Sequence, residues 1–221
     1  MHFTPSDESI AACYRLLIGV IVPRPIAVVG TCSAHGQVNL APFSFFTGIG
    51  SRPMSLLFCP VNNRDGSEKD SLRNAKPRSE GGQGEFTVSV CTEAIVRRVA
   101  AAAEPLPFGE SEFALSGLHE RPSRVVAAPS VAESPAVFEC RTRQIVRLAE
   151  GQAGGGNIVV GEVVHVWVDD RALSNGAVDP DRLRAVARMG GESWATTRER
   201  FDLAMGREAL QAPPPLDFGV V

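Results

Sequence analysis

The chain has 221 residues, 44% hydrophobic and 21% charged, with a formal net charge of −3. These proportions fit one large globular domain or two small ones with apolar side chains enough for a core, and the lack of net positive charge argues against a broad surface for nucleic-acid phosphates. The longest early apolar run, Leu16 to Val22, is seven residues against the ~20 of a membrane span, and no signal peptide is visible, so a cytoplasmic protein without membrane or nucleic-acid partners is expected.

The first predicted element is an amphipathic helix in SDESIAACYRLL, with Ser6 placed to cap it and Ile10, Cys13, Tyr14 and Leu17 at helical spacing. The period then changes. PRPIAVVGTCS, QVNLAPFSFF, RPMSLLFCPV, GEFTVSVCT, PAVFECRTRQIVRL and NIVVGEVVHVWVDD are rich in Val, Ile, Phe and Thr and bounded by Gly, Pro or Asn, which predicts six strands. Ala34 to Gln37 reads as a hairpin between the first two. In GEFTVSV, Phe86, Val88 and Val90 alternate with Glu85, Thr87 and Ser89, the pattern of a strand with one wet face.

Helical patterns follow the fourth strand, in EAIVRRVAAAA with Thr92 as cap, and the sixth, in DRLRAVARM and ESWATTRERFDLAM. Strands that outnumber helices without regular alternation argue against a doubly wound fold; six mostly antiparallel strands close most economically into a barrel. Residues 1–205 read as a single domain. Residues 206–221 form a Pro-rich tail whose Leu216, Phe218, Val220 and Val221 suggest an arm that docks, for instance on a second subunit.

Five scattered cysteines show no metal-ligand spacing and read as reduced small hydrophobes, so no metal site is expected. AGGGN, Ala153 to Asn157, leads into a strand and lacks a Lys-Ser/Thr pair, so it reads as a hairpin rather than a phosphate loop. The stretch Arg64 to Pro77 is the better phosphate candidate. KDSLRNAKP reads as a helix starting at Asp70 or Ser71, where unpaired N–H groups and the positive dipole end lie, with Arg64 and Lys69 before it, Ser71 adding a hydroxyl and Arg73 inside it. A solvated loop balanced by Asp65, Glu68 and Asp70 is the other reading.

In GQVNLAPFSFFTGIGS, Asn39, Ser44 and Thr47 stand among Pro42, Phe43, Phe45 and Phe46, interspersed with Ala41, Gly48 and Gly50. That composition suits a flat aromatic ligand approached closely by backbone, or a strand feeding Phe into an ordinary core. His165 shares a predicted strand face with Gly161, Val163 and Trp167, where it reads as a packed histidine or as a group facing a nicotinamide. No nucleophile motif supports a hydrolase.

These segments resemble the flavin reductase-like FMN-binding split-barrel family, which includes flavoredoxin and NAD(P)H:flavin oxidoreductases. The similar stretches are VPRPIAVVGT, GQVNLAPFSFF, RDGSEKDSLRN, GEFTVSV, ESEFALSGL, PAVFECR, GEVVHVWVDD and VDPDRLRAVARMGGESWA, in family order over nearly the whole chain. The resemblance implies a six-stranded antiparallel Greek-key split β-barrel with flanking helices, a homodimer, and FMN near the subunit interface. It places Asn39, Ala41, Pro42, Ser44, Phe45 and Phe46 along the isoalloxazine and Arg64, Lys69, Asp70, Ser71 and Arg73 at the phosphate end. It implies an NADH- or NADPH-dependent flavin reductase serving a flavin-dependent monooxygenase or another redox partner. The alternatives are a flavoredoxin-like carrier that keeps its FMN and a non-catalytic FMN-binding protein. Val28, Trp167 and Trp194 depart from the aromatic, His and Tyr that relatives often carry there, and Arg78 to Gln83 looks longer than usual.

Overall fold

In the computed structural model, which describes residues 2–107 and 109–211, the fold is organised around strand β1 (Ala27–Cys32), every residue of which is buried. A strand with no polar alternation is one covered on both faces. Ala27 and Val29 join Phe43, Phe58, Phe86, Val88 and Val159 inside the barrel, while Val28 joins Leu40, Val99, Phe113 and Val131 in an outer layer. Inside, the rings of Phe43 and Phe86 each lie 5.1 Å from that of Phe58.

The remaining principal strands are β2 (Val38–Phe43), β3 (Phe46–Ser51), β4 (Met54–Phe58), β5 (Glu85–Val90), β6 (Ala136–Arg147) and β7 (Asn157–Val168). They form one seven-stranded sheet in the order β2-β1-β5-β6-β7-β4-β3, with every neighbouring pair antiparallel. Six strands were expected; the seventh arises because the stretch read as the second strand breaks at Ser44 and Phe45. Ser44 accepts a hydrogen bond from the Arg24 guanidinium, and the Phe45 carbonyl accepts one from the Cys59 N–H. The break divides one long segment into the two edge strands β2 and β3, and the two-residue link draws the edges together. The class is the expected split barrel.

The expected hairpin at Ala34–Gln37 closes through Ser33 N–H to Gln37 O and Gly36 N–H to Ser33 O, with Gly36 at a φ of 82° that favours glycine. Strand β5 departs from the one-wet-face reading. Thr87 and Ser89 are fully buried because residues 129–131 lie over them: Thr87 Oγ1 donates to Pro129 O at 2.7 Å, and Ser89 Oγ accepts the Val131 N–H at 3.0 Å.

Helix α1 (Ile10–Val20) is capped by Ser9, whose hydroxyl accepts the Ala12 N–H, rather than by Ser6; a 3₁₀ turn at Pro5–Asp7 uses up the earlier residues. Helix α2 (Asp70–Ala75) starts and stops as the sequence predicts. Helix α3 (Val96–Ala101) and α4 (Glu112–Ser116) cover the outer layer. The two helices expected near the end are mostly absent. α5 (Pro180–Leu183) is four residues, stopped by Arg184 in the left-handed region, and Val186–Arg188 and Trp194–Thr196 pair as strands beside Arg24–Pro25.

All five cysteines are free, and burial pushes the Cys91 thiol up to about 12. Among the described residues no helix is long and apolar enough to cross a membrane, and no group of acidic, His or Cys side chains is placed to hold a metal. The predicted tail enters as a 3₁₀ turn at Gly206–Leu210; its apolar end, Leu216 to Val221, lies outside the described residues.

Candidate flavin site

β2 is an edge strand, so its outward backbone N–H and C=O groups have no partner strand. Asn39 is pinned there by a buried polar network. Its Nδ2 donates to Ser71 Oγ at 3.0 Å and to Thr31 Oγ1 at 3.4 Å, while Asn74 Nδ2 donates to the same Thr31 oxygen at 3.1 Å. Buried polar groups that satisfy one another fix relative position, and here the start of α2 is held against β1 and β2. Lys69, just before α2, donates from Nζ to Asn63 Oδ1 at 3.3 Å.

These residues enclose a cavity of about 140 Å³ lined by Asn39, Ala41, Pro42, Asn63, Lys69, Asp70 and Ser71, with Glu112 and residues 102–106 as the far wall. Burial pushes the Asp70 carboxyl up, against the pull of Arg73 and Lys69, and Arg73 Nη1 stands 3.7 Å from Asp70 Oδ1. Burial likewise raises Glu112, whose Oε2 accepts the Leu40 N–H at 2.9 Å.

A second, apolar cavity of about 1200 Å³ lies between α1 and the segment 148–158, lined by Tyr14, Leu17, Val20, Phe45, Val61, Arg64, Leu148 and Ile158 among others. Tyr14 meets Phe45 edge-on at 6.4 Å. Asn62 and Arg64 line this cavity while Asn63, between them, lines the small one; Pro42 and Phe43 line the small one and Phe45 the large. The two cavities are therefore separated by a thin partition made of the Ser44 bend and residues 62–64.

The predicted site residues divide accordingly. Asn39, Ala41, Pro42, Lys69, Asp70 and Ser71 come together in the small cavity. Phe45 and Arg64 line the large one, Phe46 packs against the barrel core, and Arg73 is half exposed on α2 beside Asp70. Ser44 is held by Arg24 Nε at 3.2 Å. Arg24, only 3% exposed, also donates to Ile21 O at 2.7 Å, to Met189 O at 2.9 Å and to Ile18 O, tying the end of α1 and the 186–196 strands to the bend. Asn63, Glu112 and Arg24 are absent from the sequence-based set. Arg24 sits in the VPRPIA stretch and Glu112 in ESEFALSGL, but nothing in their spacing marks either as buried.

His165 lies elsewhere. A bulge between Val163 and His165 breaks the alternation of β7, so His165 leaves the face of Gly161 and Val163 and stands beside Glu139. Its Nδ1 is 3.1 Å from Glu139 Oε1 without the alignment of a hydrogen bond. Together with Arg121, stacked over Trp167 at 3.8 Å, it lines a third cavity of about 400 Å³ that shares no residue with the other two. The family departures also lie away from the two cavities: Val28 is in the outer layer, Trp194 packs on it, and Trp167 is under Arg121.

Residues 20–186 match the model of the flavin reductase like domain. The chain belongs to the flavin reductase-like family. Membership assigns it to the flavin-handling oxidoreductases. An uncharacterised protein of Halalkalibacterium halodurans is 38% identical over 204 residues, covering 92% of this chain and 95% of its own. The solved structure of nitrilotriacetate monooxygenase component B from Bacillus cereus superposes with a TM-score of 0.84 at 29% identity, over 92% of this chain and 98% of that one. A split-barrel-domain protein of Shewanella frigidimarina superposes with a TM-score of 0.77 at 22% identity, over 93% of this chain and all of that one, a likeness of fold. In this flavin reductase-like protein, the small cavity and the apolar cavity flank the link that joins the two barrel edges.

Proposed function

We propose that this protein is an FMN-binding flavin reductase that uses NADH or NADPH and delivers reduced flavin or electrons to a partner, such as a flavin-dependent monooxygenase. The observation that carries the reading is the juxtaposition of Asn39, Lys69 and Ser71 in one small polar cavity, across the Ser44 bend from a large apolar one. The donor set fits the phosphate-bearing chain of FMN. Lys69 supplies an ammonium with donors left over after Asn63, and Ser71 a hydroxyl. A cavity of about 140 Å³ is too small for a whole flavin, since drug-sized ligands occupy roughly 300–1,000 Å³, so the ring system must extend along Ala41 and Pro42 towards the bend.

The redox chemistry, acceptance of a hydride from a nicotinamide, is that of the flavin. The chain's own residues bind and orient. Ala41 and Pro42 let a flat ring come close to the backbone, Lys69 offsets the phosphate charge, and the apolar walls at Tyr14, Leu17 and Phe45 would exclude water once a second copy covers them. None of these roles asks for a general acid or base. The name of the Bacillus cereus neighbour, a monooxygenase component, supports a monooxygenase as the partner.

A homodimer belongs to the same reading. Ile10, Tyr14, Leu17 and Val20 on α1 are exposed, Val20 at 71%, as is Leu148, and all five line the large cavity. A contiguous apolar face of this kind marks an interaction surface, and a second copy covering it would enclose the large cavity.

The test is anaerobic mixing of the purified, FMN-loaded protein with NADH and, separately, NADPH, followed by flavin absorbance. Rapid bleaching by either supports the reductase. A retained flavin inert to both would replace the reductase by a carrier or a binding protein.

A further inference from the structure

We infer that Glu112 is a ligand-binding residue of the small cavity, accepting a hydroxyl from the polyol chain of a bound flavin. The inference rests on the flavin reading above and names a contact which that reading leaves unassigned.

Glu112 is 7% exposed on the five-residue α4. Its Oε2 accepts the Leu40 N–H, which points away from β1 along the unpaired edge of β2. Leu40 stands between Asn39 and Ala41, two of the β2 residues that line the cavity with Glu112. A carboxylate has about four acceptor sites, so the bonds from the Leu40 N–H and from its own backbone N–H leave capacity on a side chain that lines the cavity.

What that capacity recognises follows from charge. Lys69 is the cationic side chain lining this cavity, against Asp70, Glu104 and Glu112. A phosphate is repelled by a buried carboxylate and belongs with Lys69 and Ser71. A hydroxyl group, by contrast, donates to a carboxylate in a charge-assisted bond about twice as strong as a neutral one. The cavity thus offers an anion the Lys69 ammonium, with Asp70 offset by Arg73, and offers hydroxyl groups the Glu112 carboxylate, the chemistry of a polyol phosphate.

The bland role for Glu112 is to cap the β2 edge and nothing more. Fluorescence titration with FMN, riboflavin and lumiflavin, which lacks the hydroxyl-bearing chain, separates the two in wild type and Glu112→Gln. The isosteric amide keeps an acceptor for Leu40 but loses the charge. The expected result is a loss of roughly five- to tenfold in affinity for both FMN and riboflavin, the gap between charged and neutral hydrogen bonds, with lumiflavin unchanged. Wild type should also bind riboflavin more tightly than lumiflavin, which tests the contact from the ligand side without any variant. Equal losses on all three ligands, or none, would overturn the inference and leave the flavin reading standing. Failure of wild type to bind any of the three overturns both.

Discussion

Lys69 is the cation placed in the small cavity, so an anionic ligand depends on it more than the run of basic residues from Arg64 to Arg73 suggests. Lys69→Ala should weaken FMN binding by ~1.5–3 kcal/mol, the range for hydrogen bonds to charged groups, and leave riboflavin almost untouched. Paired fluorescence titrations check this, and equal effects on the two ligands would remove the phosphate assignment. His165→Ala should slow flavin reduction by less than about tenfold, or ~1.4 kcal/mol of barrier, because its cavity shares no residue with the two beside the bend. Stopped-flow bleaching with bound FMN confirmed gives the answer; an abolished rate would mean that a side chain drives the chemistry. At this scale the resemblance points to the strand at Asn39 and the loop at Ser71 as parts of one site; the two side chains, 32 positions apart, meet at 3.0 Å, which spacing alone does not foretell. Phe45, Phe46 and Arg64, which the resemblance places in the same site, do not line the small cavity: Phe45 and Arg64 line the large one and Phe46 packs on the barrel core. The sequence was silent on Glu112, which lines the small cavity together with residues 102–106.

Gly161 in β7 and Phe86 in β5 show how closely the strands pack across the barrel. A Cβ on Gly161 would stand 2.4 Å from the Phe86 ring, which is fully buried. Gly161→Ala should therefore destabilise the fold by about 1–3 kcal/mol, the usual cost of overpacking, visible as a lower midpoint in urea with an unchanged slope. Arg24 joins α1, the Ser44 bend and the 186–196 strands through hydrogen bonds of a charged group, worth ~1.5–3 kcal/mol each. Arg24→Met should lower the melting temperature by on the order of 5–10 °C, given roughly 2–4 °C per kcal/mol at this size; an unchanged melt would show the network to be dispensable. Strand segments were readable because Val, Ile, Phe and Thr cluster between Gly and Pro. The late helices were not, since DRLRAVARM carries helical spacing but Arg184 turns left-handed, and ESWATTRERFDLAM contributes Trp194 to a strand where Arg188 covers its ring at 4.7 Å.

The helical stripe of α1 was correctly periodic, yet it faces outward: of that helix only Ile18 is buried, while Ile10, Tyr14 and Leu17 are exposed. Periodicity says which residues share a face and not which neighbour covers it. Light scattering at micromolar concentration should give twice the mass of the 23.5 kDa chain. Leu17→Glu should shift it to the monomer and reduce flavin retention, since the large cavity would open. A wild-type monomer would remove the dimer from the proposal. The two-residue link between β2 and β3 also sets where this chain can change length. One added residue after Ser44 would put every following side chain of β3 on the wrong face, and the walls of both cavities would shift together. The exposed hairpin tip at Ala34–Gly36, where a Cβ added at Gly36 would meet nothing within 4 Å, has no such constraint. A glycine inserted at the tip should be absorbed with full flavin content, and the same glycine after Ser44 should not.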